Sequence, residues 1–300
     1  MTATSIVIVF GLFLLAILLS LAYFRRYRMP QPPIGRMNLW DVALTMMVIV
    51  IIPYLHLLLP SWFNTVFLSL VSASLFYFLL EPVVRSRPFR WAVTLALVGI
   101  GIAAATLLPG GSRLYTAVNN VLIVLSVVAI SNVWVQSGSP ARDIVILAIA
   151  IAVYDFVFTG RLPVTADLFA KLDNVAFAPV IMWRDGALWP AIGLGDTLMS
   201  ASFVVAMFKA FGGRAALVSF AAMALALPLL FILPQLDSIF ITDAFPAMVI
   251  LGPAMLLVYI LWRRRYGPER TMREYELAAP GDKRELEAAV SSLQIDRSSD

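Results

Sequence analysis

The chain of 300 residues is 61% hydrophobic and only 13% charged, with 22 Lys and Arg against 18 Asp and Glu, one His and no Cys. A soluble domain carries about twice that charge fraction, so a water-soluble globular fold is excluded. So are disulfides and thiolate metal sites, and the lone His56 leaves no conventional zinc site. The net charge of +4 fits arginine-rich loops at a membrane surface rather than a nucleic-acid partner.

Nine apolar runs approach the roughly 20 residues that a membrane-spanning helix needs. In order they are Ser5–Phe24, Leu39–Leu59, Trp62–Leu80, Trp91–Leu108, Tyr115–Val135, Asp143–Phe158, Leu188–Phe211, Ala215–Leu233 and Ala244–Trp262. The expected fold class is therefore all-α: a polytopic membrane protein with nine transmembrane helices in residues 1–262 and a basic, polar tail over 263–300. The first run lacks a basic start, and "RRYR" follows it in place of a small-residue cleavage site, so it reads as a retained helix and not a signal peptide. "GIGIAAA" in the fourth run reads as a packing face, and Asn119, Asn120 and Asn132 as interhelical hydrogen-bond formers.

Arginines set the expected orientation. With the N-terminus outside, the inner loops collect Arg25, Arg26, Arg28, Arg36, Arg85, Arg87, Arg90, Arg142, Lys209, Arg214 and the "RRRYGPER" after the last run. The outer side holds only Arg113, Arg161, Lys171 and Arg184. This asymmetry predicts an outer N-terminus and a cytoplasmic C-terminus. The one long outer connection, Thr159 to Ala187, contains "VTADLFAKLD", a short amphipathic helix opening at Thr165, and "VAFAPVIMW", an extended segment. In the tail, "GDKRELEAAVSSLQ" has helical propensity and "DRSSD" reads as disordered.

Most acids fall in loops, at helix ends or in the tail. Two do not. Asp155, in "IAIAVYDFVFTG", lies near the outer end of the sixth run; Asp196, in "WPAIGLGDTLMS", lies about two turns into the seventh. A charge in hydrocarbon costs several kcal/mol or more, and intramembrane acids face a bundle interior and work in pairs or relays. Two carboxyls within hydrogen-bond reach share a proton. The ionised member can then take a proton from an attacking water while the protonated one polarises a carbonyl. Gly193 and Gly195 remove bulk beside Asp196, which permits close backbone approach or simply tight helix packing.

The motifs "YD" at Tyr154–Asp155 and "GLGD" at Gly193–Asp196 lie on consecutive runs, and the ninth opens "FPAMVILGP". In that order they resemble the presenilin and signal peptide peptidase family of intramembrane GxGD aspartyl proteases, whose ninth helix begins with proline, alanine and leucine. Here Met248 replaces the leucine, a nearly volume-conserving exchange. The outer N-terminus looks like the signal peptide peptidase branch. The resemblance implies Asp155 and Asp196 as the catalytic pair. Tyr154 would sit beside it, Gly193, Leu194 and Gly195 would line the approach to Asp196, and Pro246, Ala247 and Met248 would line the active site. It implies transmembrane peptide substrates and no cofactor or metal. Pro179–Met182 resembles the family segment that pairs with substrate as a strand.

A proton- or ion-coupled transporter could use the same two acids as a relay. A prepilin-type peptidase usually carries Lys two positions beyond its GxGD acid, where this chain has Leu198. A scaffold would leave two costly intramembrane acids without purpose.

Overall fold

The structure, a computed structural model, describes residues 2–29, 39–109, 111–162, 164–172, 175–184, 190–232 and 246–277. Its first helices follow the apolar runs: α1 (Ala3–Arg26), α2 (Leu39–Leu58), α3 (Ser61–Leu80), α4 (Arg87–Leu107), α5 (Arg113–Gln136) and α6 (Ala141–Phe158). Two of their starts carry a side-chain cap. The Thr2 hydroxyl accepts from the Ser5 N–H, and the Ser112 hydroxyl from the Tyr115 N–H, each 3.2 Å away. Pro140 stands just before α6, where its missing N–H costs nothing.

Between α6 and the next long helix come α7 (Val164–Lys171) and two short strands, β1 (Val180–Met182) and β2 (Ala191–Gly193). The expected amphipathic helix is present; of the expected extended segment Val180–Met182 is strand, whereas Ala176 and Phe177 form a turn with Phe177 at φ 62°. The strands pair antiparallel, Ile181 opposite Ile192. Then follow α8 (Leu194–Phe211), α9 (Gly213–Ala226), the single turn α10 (Leu229–Ile232), α11 (Met248–Tyr266) and α12 (Met272–Leu277).

Three expectations are corrected. The fold is not purely α, because β1 and β2 form a sheet. The seventh helix, expected from Leu188, begins at Leu194, and Ala191–Gly193 run as strand instead. Pro190, which has no N–H to give, and the β-branched Ile192 favour the extended backbone there. Asp196 therefore lies in the first turn of α8 rather than two turns in. The eighth helix, expected to reach Leu233, stops at Ala226, just before Leu227 and Pro228. Leu233, Ala244 and the tail segments from residue 278 lie outside the described residues.

Among the described residues six helices, α1 to α5 and α8, are long and apolar enough to cross a membrane. α6 carries Arg142, Asp143 and Asp155 within its 18 residues, α9 has 14 residues, and α11 ends in three arginines. The count of nine spans accordingly remains an expectation. The chain is a multi-pass, mostly helical membrane protein.

α8 is the central post. Phe203, Val204, Val205, Ala206 and Met207 in its middle are fully buried, and α1, α5, α6, α9 and α11 all pack on it. The most extensive helix pair is α6 with α11. Gly252 makes that approach possible, because a Cβ there would meet the Ala148 carbonyl oxygen at 3.0 Å and the Ala152 methyl at 3.1 Å. On the other flank α3 and α4 pack on each other and on α5, and α2 packs on α6 and α7. The "GIGIAAA" face is a packing face at Gly101, where a Cβ would stand 2.6 Å from the Phe177 ring.

Candidate active site

Each of the two acids sits where a helix end supplies positive charge. Asp155 is in the last turn of α6, and its Oδ2 accepts the Met248 N–H, the first of α11, at 3.1 Å. The first amides of a helix have no intrahelical partner, so a carboxylate is a favourable cap for them. Its Oδ1 accepts the Thr159 hydroxyl at 2.6 Å. Both oxygens are thus held, and the carboxyl's orientation is set by α6 on one side and α11 on the other. Pro246 and Ala247 shape that helix start. Both are buried, and their carbonyls accept the N–H groups of Val249, Ile250 and Leu251.

Asp196 lies in the first turn of α8, a favourable position for an anion. The Gly193 N–H and the Asp155 charge are both near enough to act on its carboxyl. Gly193 is a steric requirement here, since a Cβ on it would stand 2.9 Å from Asp196 Oδ2. Gly195 differs: it is exposed, with open space where a side chain would point. Leu194 donates its N–H to the Pro179 carbonyl at 2.9 Å, locking the start of α8 to the strand pair. Tyr154 stacks on Phe158 at 4.6 Å between ring centroids, with Tyr54 of α2 edge-on to the same Phe158. The structure thus brings Asp155 against Met248, and Gly193 against Asp196, across helices α6, α8 and α11. Among the described residues no three acidic or His side chains converge to ligate a metal ion.

The sheet corrects the reading of Pro179–Met182. The bonds Leu194 N–H to Pro179 O and Trp183 N–H to Pro190 O put the odd-numbered backbone groups of β1 toward β2. The even-numbered groups face α5, which closes them. Asn119 Nδ2 donates to the Ala178 and Val180 carbonyls, both at 3.1 Å. Asn120 donates to the Met182 carbonyl at 2.6 Å and accepts its N–H at 3.0 Å. With both edges of β1 occupied, the described residues leave an added strand the outer edge of β2, where Ala191 turns its N–H and C=O away from β1. That edge leads through Gly193 into Asp196.

One contributor was not singled out from the sequence. Thr159 is legible afterwards as a hydroxyl one helical turn beyond Asp155. Asn119 and Asn120 were read as bridging helices, and only Asn132 does so, donating to the Ser20 carbonyl of α1 at 3.1 Å.

These features define a class: a multi-pass helical membrane protein with two acids at facing helix ends and a short sheet leading to one of them. Among solved structures the chain is similar to a presenilin family intramembrane aspartate protease. The superposition has a TM-score of 0.57 at 14% sequence identity and covers 85% of this chain and 97% of that one. The chain therefore has the presenilin-family fold. No protein-family model matches the sequence, and no curated protein matches it.

Proposed function

We propose that this protein is an intramembrane aspartyl endopeptidase that cleaves peptide bonds within transmembrane segments of other proteins. The observation that carries the reading is the hydrogen bond from the Met248 N–H to Asp155, which joins the first motif to the third. The shared fold supports it, as does the Asp196 carboxyl in the first turn of the helix packed beside α6.

Asp155 and Asp196 would share one proton. The ionised carboxylate takes a proton from water as its oxygen bonds to the scissile carbonyl carbon, and the protonated carboxyl donates to the carbonyl oxygen. Collapse of the tetrahedral intermediate breaks the C–N bond, and the amine leaves with the proton that water gave up. Met248 N–H and Thr159 hold Asp155 in place through the cycle. Substrate, once locally unwound, would add to the open edge of β2 and lead its scissile bond to Asp196.

The N-terminus would face outside and the C-terminus the cytoplasm, as in the signal peptide peptidase branch. Substrates with their N-terminus inside would then be preferred. Equal cleavage of both substrate orientations after reconstitution would remove that preference.

The deciding assay is cleavage of a fluorescent transmembrane peptide by purified protein, with a transition-state analogue of aspartyl proteases as control. Activity that disappears in Asp155→Asn and Asp196→Asn and is blocked by the analogue is the expected result. Activity surviving in either variant would overturn the shared-proton mechanism. A proton flux that depends on both acids, with no cleavage, would favour the transporter.

A further inference from the structure

The helices that carry the two acids are gripped at their opposite ends by two adjacent residues of the polar segment after α11. Glu269 reaches the N-terminus of α6, where its Oε2 accepts the Ala141 N–H at 2.7 Å and its Oε1 the Arg142 N–H at 2.9 Å. The Tyr259 hydroxyl of α11 donates to the same Oε1 at 2.7 Å. Arg270 reaches the C-terminus of α8. Its Nε and its backbone N–H donate to the Ala210 carbonyl at 3.2 and 3.3 Å, and its Nη2 to the Phe208 carbonyl at 3.4 Å. An anion caps a helix N-terminus and a cation a helix C-terminus, so both charges match the helix dipoles they meet.

The lengths match as well. Ala141 precedes Asp155 by 14 residues and Ala210 follows Asp196 by the same 14, about 21 Å of helix in each case. α6 and α8 run antiparallel, so one dipeptide ties the two helices at one level and the two acids stand level at the other. Along α6 and α11 the ties are reciprocal. The acid at the end of α6 caps α11, and the acid beyond the end of α11 caps α6. Around the clamp the Tyr275 ring packs against Phe24 of α1 and Phe208 of α8, and the Arg270 guanidinium lies over it.

We infer that Glu269 and Arg270 are positioning residues, a clamp in the tail that sets the spacing and register of α6 against α8 and, through them, of Asp155 against Asp196. They touch neither acid. Their consequence for peptide cleavage rests on the protease reading; their effect on helix spacing does not.

The test separates the two. The chain has no cysteine, so nitroxide labels on Val153→Cys and Leu198→Cys report the active-end spacing of α6 and α8 in the full-length protein by pulsed electron paramagnetic resonance. One narrow distance distribution is expected with the clamp intact, and a broader one in Glu269→Gln and in Arg270→Gln. In unlabelled protein the same variants should lower kcat about tenfold with KM little changed, the signature of lost transition-state geometry. Arg270→Lys, which keeps the cation at the α8 terminus, should recover part of that loss. Distributions of unchanged width in both folded variants would overturn the clamp. If one glutamine variant fails to fold, the other decides alone: a broadened distribution supports the clamp, and one indistinguishable from the intact protein overturns it. A wild type that cleaves nothing would remove the protease reading and leave the distance result to decide the clamp.

Discussion

α2 and α4 pass the same test of length and apolarity as α5 and α8, yet their surroundings are opposite. Only 11% and 22% of the spanning residues of α2 and α4 are buried in protein, against 72% and 67% for α5 and α8. Lipid tails are as apolar as leucine, so hydropathy places a helix in the bilayer without choosing its neighbours. Polar side chains with partners on other elements make that choice. On α5, Asn119 and Asn120 hold β1, Asn132 holds α1, and Gln136 accepts the Met29 N–H at 2.8 Å. On the outer helices the hydroxyls of Thr65 and Thr106 turn back to carbonyls of their own helix. Outer helices do carry some ties: His56 Nδ1 and Asn64 Oδ1, 2.8 Å apart, join α2 to α3, Glu81 pairs with Arg90 at 2.9 Å, and Lys171 of α7 and Tyr23 of α1 donate to the Leu57 and Leu79 carbonyls of α2 and α3.

The contrast between inner and outer helices can be broken in several ways, beginning with the acids. Asp155→Asn or Asp196→Asn should abolish cleavage, a loss of about a thousandfold or more, without lowering the melting temperature. Asp41→Asn at the start of α2 should change neither, and a comparable loss there would dissolve the distinction.

Gly193→Ala should cost about a hundredfold in activity, because the added methyl must displace the Asp196 carboxyl by a large part of an ångström. Gly99→Ala on α4, where nothing lies within 4 Å of the added Cβ, is the matched control. Equal effects on peptide cleavage would show that the clash relaxes freely.

Asn120→Ala leaves the buried Met182 N–H and C=O without their side-chain partners. It should destabilise the protein by about 2 kcal/mol in a reversible unfolding assay. Thr106→Ala on exposed helix should stay within about 0.5 kcal/mol. Similar values for the two would refute the claim that α5 is held by its asparagines.

Thr159→Val removes the 2.6 Å hydrogen bond to Asp155. Activity should fall about tenfold, the equivalent of about 1.4 kcal/mol, and Thr159→Ser should restore most of it. Unchanged cleavage by the Thr159→Val variant would mean that the Met248 N–H alone positions the carboxyl.

The smallest effect lies outside the membrane, at α12. Thr271 and Glu274 form a capping box, with the Thr271 N–H donating to Glu274 Oε2 at 2.7 Å and the Glu274 N–H to the Thr271 hydroxyl at 3.2 Å. The backbone and hydroxyl of Thr271 hold the Glu274 carboxyl below its ordinary value. A carboxyl depressed by folding stabilises α12 above its unfolded value, and that contribution disappears as pH falls through the folded one. Amide exchange over residues 272–277 should therefore lose protection in acid relative to neutral pH, after correction for intrinsic rates. Protection independent of pH would leave the capping box without that role.

Much of the candidate site was legible because charge in hydrocarbon is expensive and conspicuous. Asp155, Asp196 and the helix start at Pro246–Met248 stand out against apolar runs, and their order on the chain is visible without a structure. The start of α8 was not legible, since Ala191–Gly193 are apolar and small and suit a helix or a strand equally. Only the partner strand and the two asparagines of α5 decide between them. Glu269 and Arg270 were unreadable for a different reason: polar residues after a last helix look solvated until the ends of α6 and α8 are placed beside them.

By itself, then, the sequence determined that this protein lives in a membrane, where most of its helices begin and end to within about four residues (the start of α8 and the end of α9 excepted), and which two carboxyls stand out in apolar runs. The tertiary structure decided which apolar helices pack deep in protein and which lie outside, which strand edge the described residues leave open, and that Asp155 caps α11 while Glu269 caps α6. The division follows from the range of the forces involved. Burial in a bilayer is a property of a residue and its near neighbours along the chain. A hydrogen bond to a backbone group more than a hundred residues away, such as Glu269 to Ala141, exists only once both helices are packed.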